Sequence, residues 1–527
     1  DGDGIGDLKG IIEKLDYIKS LGVDMVWLNP IYSSPNDDNG YDISDYRDIM
    51  REFGTMEDFD QMIKGMHEGG IKFVMEVVVN HSSNEHEWFK QSRSARDNPY
   101  RDYYHWWPAE KGKPNYRWSF FDEKGEAWKY DSLTDAYYLH YFSQKQPDLN
   151  WENPKVRQEV YDIMKFWAEK GVDGFRLDAF QFVSKDTTFP PLPAGYEKEI
   201  IKYYGMGPNL HPYLKEMYEQ VLSKYDVFAV SEGAGSTFED AHALVDADRK
   251  ELQMAYHFEG VDLGRGLERV GLADFKRVYT KWDSAFAQKG WLSIFLANHD
   301  QPRMVSKYGD DSPQYRAASN KLLNTFILSM RGTPYCYYGD ELGMTNIYFD
   351  SIGQYRDIAA VKGYKKAKAA GEDIDLFMKR LKLRSRDNGR TPMQWDDSAN
   401  AGFTTGVPWL PVNKNHDEIN AAAQNDDPSS CLNYFRKMVR LRKENPALIY
   451  GDYQLLFPEH EQVYAYTRTL EGKQMLILLN FSADQVSLQL DKPLTPQQVL
   501  INNYDTVELN NKDVSLQAYQ AVVFSLE

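Results

Sequence analysis

The sequence predicts an α/β fold. Its main body is a (β/α)8 barrel with an inserted small domain after the third strand, and a C-terminal all-β sandwich follows. Three observations predict it. Strand-like and helix-like stretches alternate through the first 340 residues and supply seven candidate strands. Several of these end in polar or ionisable residues at their C-terminal tips, the face on which a barrel carries its chemistry. From about residue 447 the texture changes to short alternating runs such as QVYAYTRT and QMLILLNF, which read as an all-β unit. A doubly wound sheet would gather its polar ends at one switch point, and the run from Gly4 to Gly6 lacks the third glycine of a nucleotide loop.

The chain opens with DGDGIGDLKG, where aspartates among glycines offer oxygen ligands to a hard cation such as calcium. The bidentate glutamate of an EF-hand is missing, and a plain Asx-turn is the competing reading. Leu8, Ile11, Ile12, Leu15 and Ile18 then mark one helix face, closed by Gly22. Strand Val23–Pro30 and the loop SSPNDDNGYDISDY follow. Residues 54–70 read as a helix and lead into strand Ile71–His81. From Ser82 to Gln146 the pattern breaks into Trp, Tyr, charge and turns, which marks the insertion. QPDLNW closes it.

Asn153 caps the next helix, Pro154 starts it and Gly171 stops it. The strand behind it carries Arg176 and Asp178. Two apart on a strand, they face the same side, so the guanidinium favours an ionised Asp178. An isolated pair of this kind is commonly only a structural ion pair.

Four more strands are expected: Val227–Ser231 running into Glu232, Met254–Phe258 ending in Glu259, Leu292–Ala297 ending in Asn298, His299 and Asp300, and Thr333–Tyr338 before Asp340 and Glu341. Residues 345–400 read as a long excursion, and helix Leu432–Lys443 ends the barrel. The expected domains are 1–81 with 147–446, 82–146, and 447–527, with the first barrel strand upstream of residue 1.

A net charge of −18 argues against nucleic acid, whose phosphates call for basic patches. No run approaches the length of a membrane span. Two widely separated cysteines, Cys336 and Cys431, exclude a disulfide framework and a C-x-x-C metal site, and point to the cytoplasm. No organic cofactor is expected. The oligomeric state, monomer or homodimer, is left open.

Asp178, Glu232 and Asp300 fall on successive strand tips. A pair of carboxylates, one ionised and one protonated, is what glycoside hydrolysis needs. Glu232 has no cation beside it in the sequence, so nearby anions are expected to keep its proton on. The ordered motifs VVVNH, GFRLD, EGAG and NHD carry a resemblance to the α-amylase family, glycoside hydrolase family 13, over essentially the whole length. QPDLNW and RTPMQW look like its branch of oligo-1,6-glucosidases, α-glucosidases and sucrose isomerases.

The resemblance implies a retaining, exo-acting α-glucosidase acting on small oligosaccharides. Asp178 is then the nucleophile, Glu232 the acid/base, and Asp300 the acid that binds and distorts the sugar. His81 and His299 would bond the glucosyl unit, Arg176 would orient Asp178, Tyr41 would stack under the ring, and Asp42 with Arg386 would clamp the non-reducing end. A structural calcium would take Asp1, Asp3, the carbonyl of Ile5, and Asp7. Two alternatives are a sucrose-isomerase-type transglycosylase and, remotely, a non-catalytic transporter heavy chain.

Three departures from the family pattern stand out. Glu76 occupies a usual Asp position. Ala179 replaces the Val of strict α-1,6 enzymes, which predicts that Ala179→Val favours isomaltose. Phe258–Arg265 matches neither the hydrolase nor the isomerase loop.

Overall fold

The computed structural model describes residues 2–122, 124–264 and 266–526. Seven parallel strands build the main body. They are β1 (Met25–Leu28), β2 (Lys72–Val78), β3 (Gly174–Asp178), β4 (Phe228–Glu232), β5 (Met254–Tyr256), β6 (Ser293–Ile294) and β7 (Thr333–Pro334). Each pairs in parallel with its neighbours in chain order, β5 reaching β6 through a bridge between Ala255 and Leu292. This unbroken order is that of a TIM barrel, not of a doubly wound sheet. The two ends of the arc face each other: the Trp27 ring of β1 lies 6.2 Å from that of Tyr335, just after β7.

The longer strands read as apolar runs because both faces are covered. In β2 every residue except Lys72 is buried. β3 is buried throughout, and Gly174 is required there, since an added Cβ would meet the Phe228 ring at 2.4 Å. The helix before β3, Pro154–Glu169, is capped by Asn153 accepting from Lys155 N, and Gly171 leaves it at φ +99°.

Several expected elements come out differently. The first helix breaks at Lys14 into Leu8–Glu13 and Leu15–Ser20. The strand expected over Met254–Phe258 stops at Tyr256. Glu259 instead opens a short helix and pairs with Lys281 and Trp282 Nε1. Glu341 also turns away from the barrel mouth, accepting from Tyr17 Oη at 2.8 Å. The 345–400 excursion contains two helices, Ile358–Ala369 and Ile374–Arg384.

Between β2 and β3 a small antiparallel sheet orders Trp106–Pro108, Ala136–Leu139 and Trp128–Asp131. The C-terminal part has a five-stranded and a three-stranded antiparallel sheet. Strand Val463–Leu470 alternates between two cores. Val463 and Ala465 face the second sheet, while Tyr464 and Tyr466 pack with Phe435 and Met438 of helix Cys431–Glu444. The sandwich is thus bolted to the barrel through one face. Among the described residues no helix is long and apolar enough to cross a membrane.

Candidate active site

Four strand tips converge on one guanidinium. Arg176 is 1% exposed. Its Nη1 donates to Asp178 Oδ1 at 2.6 Å and to Glu76 Oε1; its Nη2 lies 2.7 Å from Glu232 Oε1. Nε and Nη2 both donate to the Tyr256 hydroxyl, at 3.0 and 2.5 Å. All five donors of the group are thereby engaged. Strand register does this: Glu76 pairs with Arg176 across β2 and β3, and Tyr256 with Glu232 across β5 and β4.

This corrects the expectation that Glu232 has no cation at hand. The cation comes from the neighbouring strand, which sequence adjacency does not reveal. The backbone N–H of Ala179 donates to the other Glu232 oxygen at 2.8 Å. The expected simple pairing of Asp178 with Arg176 is also modified, because three carboxyls share the one arginine. Burial pushes the Asp178 carboxyl well up, the charges of Glu232 and Glu76 add to this, and Arg176 opposes it. Burial and Glu232 likewise raise Glu76 against the pull of Arg176. The carboxyls are thus coupled to one another through their charges and the one arginine they share.

Asp300 lies across the cleft and behaves in the opposite way. Arg386 Nη1 and Arg390 Nη2 each stand 2.9 Å from its Oδ1. Burial pushes its carboxyl up, but the charges of Arg386 and Arg390 oppose this and hold it well below the usual range. It is a fixed anion, suited to accepting sugar hydroxyls. Burial drives His81 and His299 down to about 3, so both rings are neutral. Tyr41 links them. Its hydroxyl lies 2.8 Å from His299 Nε2, its carbonyl 3.1 Å from His81 Nε2, and its ring stacks on His299 at 5.5 Å. Two rings of the insertion close the roof: Phe142 packs on His81 at 4.9 Å, and the Arg386 guanidinium sits 5.4 Å from the centre of the Phe121 ring.

Asp42 is not brought to Arg386. Its carboxylate turns into its own loop and accepts from Asp37 N at 3.0 Å, Asp38 N at 3.1 Å and Ser34 Oγ at 3.1 Å. Of the acids in that loop it is Asp38 that faces Arg386, at 3.8 Å from Nη2; Arg386 also holds Asp300 and, through Nε at 3.0 Å, Asp357. The two should therefore separate on mutation. Asp38→Asn should raise KM for short substrates with little change in Tm. Asp42→Ala should cost about 1–3 kcal/mol of stability, the price of buried N–H groups left without an acceptor. Steady-state kinetics and thermal melts on both variants check this.

Sequence reasoning also missed Tyr256 and Arg390. Tyr256 ends a strand and Arg390 opens the RTPMQW motif, and only register or packing shows what each reaches.

Ala179 adopts φ +45°, a conformation costly for β-branched residues, and is buried in a cluster with Trp128, Tyr141, Phe182 and Tyr204. Ala179→Val should lose about 1–3 kcal/mol of stability through backbone strain. Denaturant melts measured beside the isomaltose-to-maltose rate ratio would show whether any specificity change comes with that loss.

A cavity of about 320 Å³ opens beside Asp300, lined by Val261, Gln301, Pro302, Lys307 and Arg384. It places Val261, of the Phe258–Arg265 segment, near Asp300; Arg265 itself lies outside the described residues. Asp1 lies outside them too. In the N-terminal loop Asp3 Oδ1 accepts from Ile5 N at 2.8 Å and Asp7 Oδ1 caps the first helix through Gly10 N at 2.7 Å. Among the described residues no three His, Cys, Asp or Glu come together to hold a metal ion.

Comparison with known proteins agrees over the full length. Residues 1–451 match the model of the alpha-amylase catalytic domain, and residues 463–523 that of the alpha-amylase SusG C-terminal domain. Oligo-1,6-glucosidases of Parageobacillus thermoglucosidasius and Bacillus cereus are 50% and 48% identical, covering 100% of this chain and 95% and 96% of theirs. The crystal structure of an isomaltulose synthase from Klebsiella sp. LX3 superposes with a TM-score of 0.96 at 44% identity, covering 100% of this chain and 96% of that one. With its carboxylates gathered on parallel strand tips and these matches along its whole length, the chain belongs to the alpha-amylase family and is a glycoside hydrolase.

Proposed function

We propose that this enzyme is a retaining, exo-acting α-glucosidase that removes glucose from the non-reducing ends of short α-linked oligosaccharides. The observation that carries the reading is the sharing of one guanidinium by Asp178 and Glu232. Two carboxyls on adjacent nitrogens of one arginine suit the close spacing of about 5–5.5 Å that retention needs. Asp178 attacks the anomeric carbon, the glycosidic bond breaks, and the proton of Glu232 passes to the departing oxygen. Water then attacks the same carbon, returns its proton to Glu232 and frees Asp178. Asp300, His81 and His299 hold the glucosyl unit, and Arg386 with Asp38 closes the pocket behind it, which favours attack at chain ends.

Initial rates on isomaltose, maltose, trehalose and sucrose test this, with NMR of the first glucose formed. Glucose of α configuration from isomaltose and from at least one secondary linkage is expected; β-glucose would overturn the retaining mechanism. Isomaltulose or trehalulose from sucrose would favour the second reading, in which departed fructose replaces water. The likeness to an isomaltulose synthase keeps that reading in play.

The proposal includes a structural calcium in the Asp1–Asp7 loop, for which the hard oxygen donors there are suited. Chelator should lower Tm while leaving activity at low temperature unchanged, and an unmoved Tm removes the ion. The two free cysteines support a cytoplasmic setting.

A further inference from the structure

The catalytic pair alone does not account for the charge at the centre of the site. We propose that Glu76 is a positioning residue whose negative charge makes Asp178 and Glu232 keep one proton between them. The proposal rests on reading Glu232 as the general acid.

Glu76 is 0% exposed and lies on the strand between β1 and β3, beneath the cleft. One of its oxygens accepts from Arg176 Nη1, and the other accepts from Trp27 Nε1 at 2.6 Å. These two N–H donors and the Arg176 charge favour its anion, against burial and the charge of Glu232, which push the carboxyl up. The groups facing it are Arg176 and Asp178 from β3, Glu232 from β4, Tyr256 from β5, Tyr335 after β7, and Tyr32 and Tyr41 after β1. Of these only Arg176 is cationic.

Both oxygens of Glu232 also meet donors, Arg176 Nη2 and Ala179 N. One arginine against two carboxyls would leave little reason for a proton to stay. A third carboxylate on the same guanidinium offsets the arginine and restores that reason. Glu76 thus reaches the sugar only through Arg176.

The test is the pH dependence of kcat/KM for wild type, Glu76→Gln, Glu76→Asp and Glu232→Gln, with isomaltose, whose leaving sugar needs the proton, as a common substrate. In Glu76→Gln the alkaline limb should move to lower pH by about one unit, the smaller end of what a neighbouring charge does. Glu76→Asp keeps the charge and should keep the limb near its wild-type position, even if its rate falls. A merely structural role would lower rate or Tm and leave the limb in place. Should Glu76→Gln fail to fold, Trp27→Phe removes one donor from the Glu76 anion, draws the proton towards Glu76, and must move the limb the same way. Glu232→Gln should lose the alkaline limb altogether. If it does not, the acid assignment fails. If it does, and the limb of Glu76→Gln or of Trp27→Phe stays at the wild-type pH, the proposal for Glu76 is overturned.

Discussion

Asp178→Asn should lower kcat by at least about 10⁴-fold, the scale of removing a covalent nucleophile. The fold should survive. An amide oxygen still accepts from Arg176 Nη1, which Asp178 Oδ1 meets at 2.6 Å, and the side chain sits on a fully buried strand that the substitution does not reshape. What is lost is the oxygen able to bond to the anomeric carbon. Glu232→Gln should behave differently. It should cost roughly 10²–10⁴-fold on natural disaccharides, the usual worth of general acid catalysis, and less in the first step with an aryl leaving group that departs unaided. Steady-state and pre-steady-state rates on isomaltose and on an aryl glucoside separate the two roles. Near-wild-type turnover by Asp178→Asn on either substrate would remove it as nucleophile.

Arg176→Met should have the largest effect on stability. The guanidinium is the partner of Glu76, Asp178 and Glu232 at once, and methionine leaves three buried carboxyls facing one another. Breaking a buried ion pair by removing one partner costs about 3–5 kcal/mol, and here the loss should depend on pH. Without the arginine, burial and mutual repulsion raise the carboxyls of the folded state above their unfolded values. The folded variant then binds more protons than the unfolded chain at neutral pH, so its stability falls as pH rises. The deficit against wild type should therefore be greater at pH 8 than at pH 5. Urea melts at both pH values measure it, and an equal deficit at the two would mean that Arg176 matters through packing alone.

Much of this was legible in the sequence, for identifiable reasons. The longer barrel strands, β2, β3 and β4, are largely apolar runs with polar or ionisable tips, because both faces of a barrel strand are covered and its chemistry sits at one end. Helix Pro154–Glu169 carries its cap, its proline and its terminating glycine in plain view. Strand register is not visible in this way. That Glu76 and Glu232 both lie on Arg176 follows from which residues stand side by side on β2, β3, β4 and β5, and no local spacing encodes it. The loop DDNGYD shows a second limit. Asp38 and Asp42 have the same chemistry four residues apart, and only the fold of the turn decides that Asp42 satisfies backbone N–H groups while Asp38 faces Arg386. Glu259 fails for a third reason: β5 ends two residues early, and the helix that follows carries the acid out to Lys281. The helices over 358–384 were hidden by their lysine-rich exposed faces, which resemble loop composition.

The central claim is that Asp178 carries the glucosyl group between the two half-reactions. The direct measurement is mass spectrometry of the enzyme after brief reaction with 5-fluoro-α-glucosyl fluoride, a substrate that forms the intermediate faster than water releases it. The account predicts one added fluoroglucosyl group on the peptide that contains Gly174–Asp178, with fragmentation placing it on Asp178, and no such adduct in Asp178→Asn. An adduct on a different residue, or full turnover of the reagent with no adduct and β-glucose as the first product from natural substrate, would contradict it.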